Sequence, residues 1–325
     1  MTMTLLTRRR CLQALGAAAF VAAAPALRAQ DADGRFTTLD FDWADVARQR
    51  PVPVRLYLPE QARPAQRAPL VVFSHGIGGS RRGYTWFGRH LAASGVASLH
   101  LQHVGSDRQV WSGSPFGILG RLQDAATDRE AVARAEDLRF ALDQLLASGV
   151  AGRLDARRIA AAGHSYGANT TLLAAGARVE RDGQVVPLRD ERVRAAIAIS
   201  APPFYGEADP ARILAGVTVP SLHVTATEDV IRIPGYFSGV EDRLAVFEAI
   251  GSPRKWLAVY EGGSHSMFTD RAGTGGVTLN PQVKAATQAL AVAFLRGVFE
   301  GDDSELRRWP ERHTEILARF TARAA

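Results

Sequence analysis

Between residues 52 and 299, short apolar runs rich in Val, Ile, Leu and Ala alternate with stretches whose apolar residues recur at helical spacing. Strands that neighbour helices in this rhythm are buried on both faces, which forces a mostly parallel sheet with helices packed on each side. Strands are read at 52–58, 69–74, 96–101, 158–162, 194–200, 221–225 and 255–260, and helices at 86–94, 129–147, 168–177 and 281–299. A further helix is read over the tail, 304–322. The stretch 105–125 breaks the pattern and reads as an insertion after the strand that ends near His103. No repeat or long linker divides residues 30–325, so they are expected to form a single α/β catalytic domain.

Composition narrows the partners. The formal net charge is +6, but four arginines and no acid fall within residues 1–29, and the remainder carries only +2. The other arginines are interleaved with Asp and Glu, without the basic stripe that nucleic-acid binding needs. Cys11 is the only cysteine, which excludes an intramolecular disulfide and a thiolate metal site. Residues 1–29 read as a leader: Thr7-Arg8-Arg9-Arg10-Cys11-Leu12-Gln13 resembles the twin-arginine consensus, an apolar run follows over 12–24, and small residues offer cleavage points up to Ala29. Export to the periplasm or beyond is expected, with no stable membrane insertion after cleavage, since the run is too short and Ala-rich to span a bilayer.

The chemistry centres on Gly163-His164-Ser165-Tyr166-Gly167, a G-x-S-x-G with an apolar strand before it and a helix after it. Glycines are needed there because the turn is too tight for side chains, and the serine is presented at its strained tip. A serine hydroxyl is a weak nucleophile at neutral pH and needs a base, which in turn needs an orienting acid. Along a chain with such an elbow the acid follows the serine and the base follows the acid. His223 lies inside a strand; His265, in Glu261-Gly262-Gly263-Ser264-His265-Ser266 just past the last core strand, is the base, and His313 reads as a solvent-facing residue of the tail helix. Glu228 and Asp229 both stand past the strand 221–225, and Asp242 lies in a helical stretch, so the acid stays open among them. The two donors for a developing oxyanion are expected from the amides of Tyr166 and of Ile77, where Gly76 permits close backbone approach.

Ser74-His75-Gly76-Ile77-Gly78-Gly79, His103-Val104-Gly105-Ser106-Asp107, Gly-His-Ser-Tyr-Gly-Ala and Gly-Gly-Ser-His-Ser together resemble an α/β-hydrolase over about residues 50–300. The nearest likeness is to the dienelactone-hydrolase and platelet-activating-factor acetylhydrolase groups. That resemblance implies hydrolysis of small-molecule carboxylic esters, of short acyl chain, without a cofactor. It also favours Asp229 over Glu228, through the D-x-x-x-x-P spacing to Pro234. True dienelactone hydrolases use a cysteine nucleophile, so Ser165 argues against dienelactone as substrate. The Gly-Gly-Ser-His segment also resembles cutinase-like polyester hydrolases, whose elbow differs.

Acyl transfer to an alcohol on the same three residues, and a hydrolase-fold binding protein without turnover, are the competing readings. His100, His103 and Asp107 have metal-ligand chemistry, but positions 100 and 103 of a strand point to opposite faces, and a role of His103 with Asp107 in shaping the loop is the plainer reading. The insertion is either a lid or ordinary packing, with Trp111 and Phe116 as candidate pocket residues. Tyr84, Trp86 and Phe87 are read as helix packing.

Overall fold

In the computed structural model of the chain, residues 27–31, 33–207, 209–270 and 278–323 are described. The strands and helices, in chain order, are β1 (Leu27–Gln30), β2 (Phe36–Asp45), β3 (Arg50–Pro59), β4 (Ala68–Ser74), α1 (Thr85–Ala93), β5 (Ala97–Leu101), α2 (Ile118–Ala125), α3 (Asp128–Ala147), β6 (Leu154–His164), α4 (Tyr166–Ala175), a two-rung hairpin β7 (Glu180–Arg181) and β8 (Gln184–Val185), β9 (Val193–Ile199), α5 (Pro210–Leu214), β10 (Ser221–Glu228), α6 (Val240–Ala249), β11 (Lys255–Ser264), α7 (Leu279–Phe299), α8 (Ser304–Arg308) and β12 (Leu317–Arg323). Ten strands form one sheet in the order β1-β2-β3-β5-β4-β6-β9-β10-β11-β12. The six from β5 to β11 run parallel. Antiparallel strands close both edges.

Two apolar cores sort by the two-residue period of the strands. Leu70, Val72, Ile159 and Ala161 face one way, toward Leu138 and Leu142 of α3 and Leu172 of α4. Val71, Phe73, Ala160 and Ala162 face the other, toward Phe87 and Leu91 of α1 and Leu290 and Phe294 of α7. The small side chains of β6 let helices pack closely on both sides of the strand that leads to the elbow. Deleting a large side chain here, such as Leu138→Ala, costs about 2–5 kcal/mol, lost transfer energy plus a cavity.

The core strands and helices fall where the hydrophobic pattern puts them, to within a few residues. The tail differs. In place of one helix it makes the short α8 and then β12, which pairs antiparallel with β11. His313 is not on a solvent-facing helix; it stacks on Trp309 at 4.4 Å. The expected leader lies outside the described residues except for its last few, where Leu27–Gln30 pair with β2. Among the described residues no helix is long and apolar enough to cross a membrane.

Candidate active site

The parallel strands end on one side of the sheet, and three connections there converge. The first is the elbow. Ser165 sits between β6 and α4 with φ 57° and ψ −127°, a conformation that costs a non-glycine residue about 1–3 kcal/mol and must be held by its surroundings. Its amide donates to the Ile199 carbonyl at 2.9 Å, and its carbonyl accepts from the Ala168 amide at 2.8 Å. The flanking glycines are obligatory. A Cβ on Gly163 would lie 2.1 Å from the Gly167 carbonyl oxygen, and one on Gly167 would lie 1.9 Å from that of Ser74.

The second connection follows β11. Gly262 and Gly263 take φ of 66° and 83°, which bends the chain so that His265 turns back over the elbow. His265 Nε2 lies 2.8 Å from Ser165 Oγ. The third follows β10, where the pairing with β11 slips between Ala226 and Glu228. That irregularity turns Asp229 inward, and Asp229 Oδ1 lies 2.7 Å from His265 Nδ1. Glu228 is exposed, so of the two neighbouring acids only Asp229 reaches the imidazole. Asp242 is engaged elsewhere, accepting from the Gly239 amide at the start of α6.

Asp229 is fully buried, which by itself would raise its pKa. The bond from His265 and the nearby Arg243 charge outweigh burial and hold the carboxyl well below the usual range. Its other oxygen accepts from Thr225 Oγ1 at 2.7 Å, and Arg243 lies 3.4 Å away. The acid is thus kept ionised and fixed in direction.

The expected oxyanion donors also come together. Ile77 and Tyr166 line the same cavity as Ser165 and His265. A Cβ on Gly76 would stand 3.1 Å from Ser165 Cβ, which measures how closely this loop approaches the nucleophile. The amides of Gly76, Gly78 and Gly79 are bonded to Tyr84 Oη and to the carbonyls of Ser106 and Gly76. Ile77 stands between these bonded amides and lines the cavity, as does Tyr166, the first residue of α4.

The cavity measures about 1550 Å³. Its wall includes Trp111, Leu122, Tyr205 and Tyr236 beside the elbow. Trp111 is where it was expected, on the wall, its Nε1–H donating to the Gly78 carbonyl at 3.0 Å. Phe116 is not: it is 99% exposed and absent from the lining, because the short helical turn that carries it projects away from the body. The insertion folds into helical turns and α2, with Leu122 turned to the cavity.

One further expectation changes. Tyr84 does more than pack, since its hydroxyl bonds the Gly76 amide. His103 and Asp107 hold this region through separate partners: His103 bonds Asp137 and Ser74, whereas Asp107 accepts from Gln102 and the Gln109 amide. His100 bonds Ser98 and the Gly83 carbonyl.

Sequence reasoning missed Arg134 and Arg243. Arg134 is fully buried between the loop and the elbow, bonding the His75 carbonyl, Ser106 Oγ at 2.7 Å and Thr170 Oγ1 at 2.9 Å. Its guanidinium stacks 4.6 Å from the Tyr166 ring centroid, and burial brings its pKa down to about 10. A signal existed: Arg134 is four residues before Leu138, and Arg243 is four before Phe247, so each occupies an apolar-face position of its helix.

The family model of platelet-activating factor acetylhydrolase, isoform II, matches residues 50–109, the part that carries the Gly76–Ile77 loop. No curated protein matches the chain. Among solved structures, the ferulic acid esterase of Streptomyces cinnamoneus is similar at 23% identity, with a TM-score of 0.62 over 92% of this chain and 99% of that one. A cold-adapted esterase from an Arctic intertidal metagenomic library is similar at 18% identity, with a TM-score of 0.54 over 75% and 91%. The fold is α/β, as in these esterases, and the likeness to the platelet-activating-factor acetylhydrolase group, read from the motifs, is borne out over residues 50–109.

Proposed function

We propose that the chain is a carboxylic ester hydrolase working through an acyl-serine. The observation that carries this reading is the continuous line Ser165 Oγ–His265–Asp229, with contacts of 2.8 and 2.7 Å, at a strained elbow open to a cavity. In this mechanism His265 Nε2 takes the Ser165 proton as Oγ attacks the ester carbonyl, then returns it to the leaving alcohol. Water, activated by the same imidazole, cleaves the acyl-serine. Asp229 fixes the Nδ1–H tautomer and stabilises the imidazolium that forms. The amides of Ile77 and Tyr166 receive the oxyanion, and α4 directs its positive end toward it.

No step requires a cofactor. A short acyl chain beside Ser165 leaves most of the cavity for the alcohol portion, so bulky alcohols are the expected partners of small acyl groups. The test is turnover of p-nitrophenyl esters of rising acyl length by the purified protein. Highest kcat/KM on acetyl and butyryl esters supports the reading, and no hydrolysis of any ester by folded protein refutes it. Export by the arginine-rich leader is part of the same proposal; cell fractionation that finds the protein only in the cytoplasm would refute it.

A further inference from the structure

The reaction proposed above needs three loops in fixed register: the one after β4 with Gly76 and Ile77, the elbow, and the one after β11 with His265. A single buried chain of hydrogen bonds joins all three. The Gly76 amide lies 3.3 Å from Tyr84 Oη, Tyr84 Oη lies 2.9 Å from His164 Nδ1, and His164 Nε2 lies 3.0 Å from the His265 carbonyl oxygen.

The direction of this chain follows from its ends. A carbonyl only accepts, so His164 Nε2 carries the proton that it donates to His265. Burial, with the repulsion of neighbouring His265, holds the His164 pKa down at about 3, so the ring has one proton and Nδ1 accepts. The Tyr84 hydroxyl then donates to Nδ1 and accepts from the Gly76 amide. Both side chains are nearly sealed from solvent, with Tyr84 4% and His164 2% exposed. Tyr84 also holds φ 55° at the start of α1, a left-handed backbone that a non-glycine residue adopts only when its surroundings enforce it.

We propose that Tyr84 and His164 are positioning residues, a tie between the oxyanion loop and the loop of the base that sets how far Ile77 stands from His265. The tie rests on the ester-hydrolase reading. It uses the Gly76 amide and so leaves the next one, Ile77, to the substrate. It also holds the His265 backbone, whereas Asp229 holds the ring. Misplacement of reacting groups by about 1 Å costs ~100-fold in rate, so a loosened tie acts on the transition state more than on ground-state binding.

The experiment uses the purified chain with Tyr84→Phe, His164→Asn and the double variant. Tyr84→Phe keeps the ring against Phe73, 4.7 Å away, and deletes only the hydroxyl. Two rates are read well below each variant's melting temperature: kcat and KM on p-nitrophenyl acetate, and the second-order rate of Ser165 phosphonylation by diethyl p-nitrophenyl phosphate. Each single variant is expected to lose ~10- to 100-fold in kcat and in phosphonylation, with KM within about twofold. The double variant should lose no more than the worse single one, because one tie is broken once. A folded Tyr84→Phe that matches wild type in both rates overturns this inference and leaves the hydrolase reading standing. Multiplicative losses in the double variant also overturn it, since the two residues would then act separately. A wild type that neither turns over nor is phosphonylated overturns the hydrolase reading, and the tie with it.

Discussion

Among the described residues stand two Ser–His–Asp lines. Beside Ser165–His265–Asp229 stands Ser74–His103–Asp137, with His103 Nε2 3.0 Å from Ser74 Oγ and His103 Nδ1 3.0 Å from Asp137. Residue types and distances nearly coincide, yet the surroundings differ in access and in the charges around the base. Ser74, the last residue of β4, and its two partners are fully buried, whereas Ser165 and His265 reach the cavity. A base must also be able to become a cation. Burial, and then the charges of Arg134, Arg50 and Arg48, push the His103 pKa well below its ordinary value. Asp137 is held by Arg50 at 2.8 Å and Arg48 at 3.0 Å, so its charge serves arginines rather than an imidazolium. In the proposed reading one line is the site; the other is a strut between β4, the loop after β5 and α3. Geometry within three residues does not make a nucleophile; access and room for the charge that develops do.

The contrast can be broken, starting with its largest expected effect. Ser165→Ala should lower kcat by ~10⁵- to 10⁶-fold without loss of fold, measured with p-nitrophenyl esters. A variant that keeps a tenth of wild-type rate would end the assignment. Asp229→Asn should cost ~10⁴-fold in kcat, by losing the tautomer that aims Nε2 at the serine. Glu228→Gln, on an exposed side chain, should leave kcat unaltered; the reverse ranking would move the acid by one residue.

Asp137→Asn should leave the rate of the folded protein intact but lower stability by about 1–3 kcal/mol, read by urea unfolding, because it removes the buried charge shared by the half-buried Arg48 and Arg50, which keep Asp45 and Glu130. Equal stability would mean that the strut carries no load. A further effect follows from pH. His75, His100, His103, His164 and His223 are all buried with lowered pKa, chiefly through loss of solvent. Between about 3 and the ordinary 6.5 the unfolded chain binds more protons than the folded one, so stability falls as pH drops through that window. A melting temperature unchanged from pH 7 to pH 4 would contradict this. The smallest change is Ser74→Ala, expected to cost about 1–2 kcal/mol for the unpartnered His103 nitrogen and to leave turnover alone.

Much of this was legible because the signals are local. The two-residue apolar period of 69–74 and 158–162 marks buried strands, and Gly163 and Gly167 flank Ser165 for steric reasons that any chain obeys. His265 and Asp229 are each named by a strand end just before them. What escaped depends on contacts across the chain. Asp137 meets His103 from 34 positions away, on a helix face that only folding brings there. The strand β12 reads Leu-Ala-Arg-Phe-Thr-Ala-Arg, good helix formers, and becomes a strand because β11 offers it an unpaired edge. β2 carries Asp40 and Asp42 among its apolar residues, and these acids meet Arg55 and Arg81, partners that only folding brings there. Phe116 was drawn toward the pocket by its hydrophobicity alone, which does not fix the direction of a side chain on a protruding turn.

The most direct test of the central claim, that one of the two serines is a nucleophile and the other is not, is intact-mass spectrometry after exposure to a fluorophosphonate, on wild type, Ser165→Ala and Ser74→Ala. One adduct on wild type and on Ser74→Ala, with none on Ser165→Ala, is the predicted result. An adduct that persists in Ser165→Ala, or disappears only in Ser74→Ala, would contradict it.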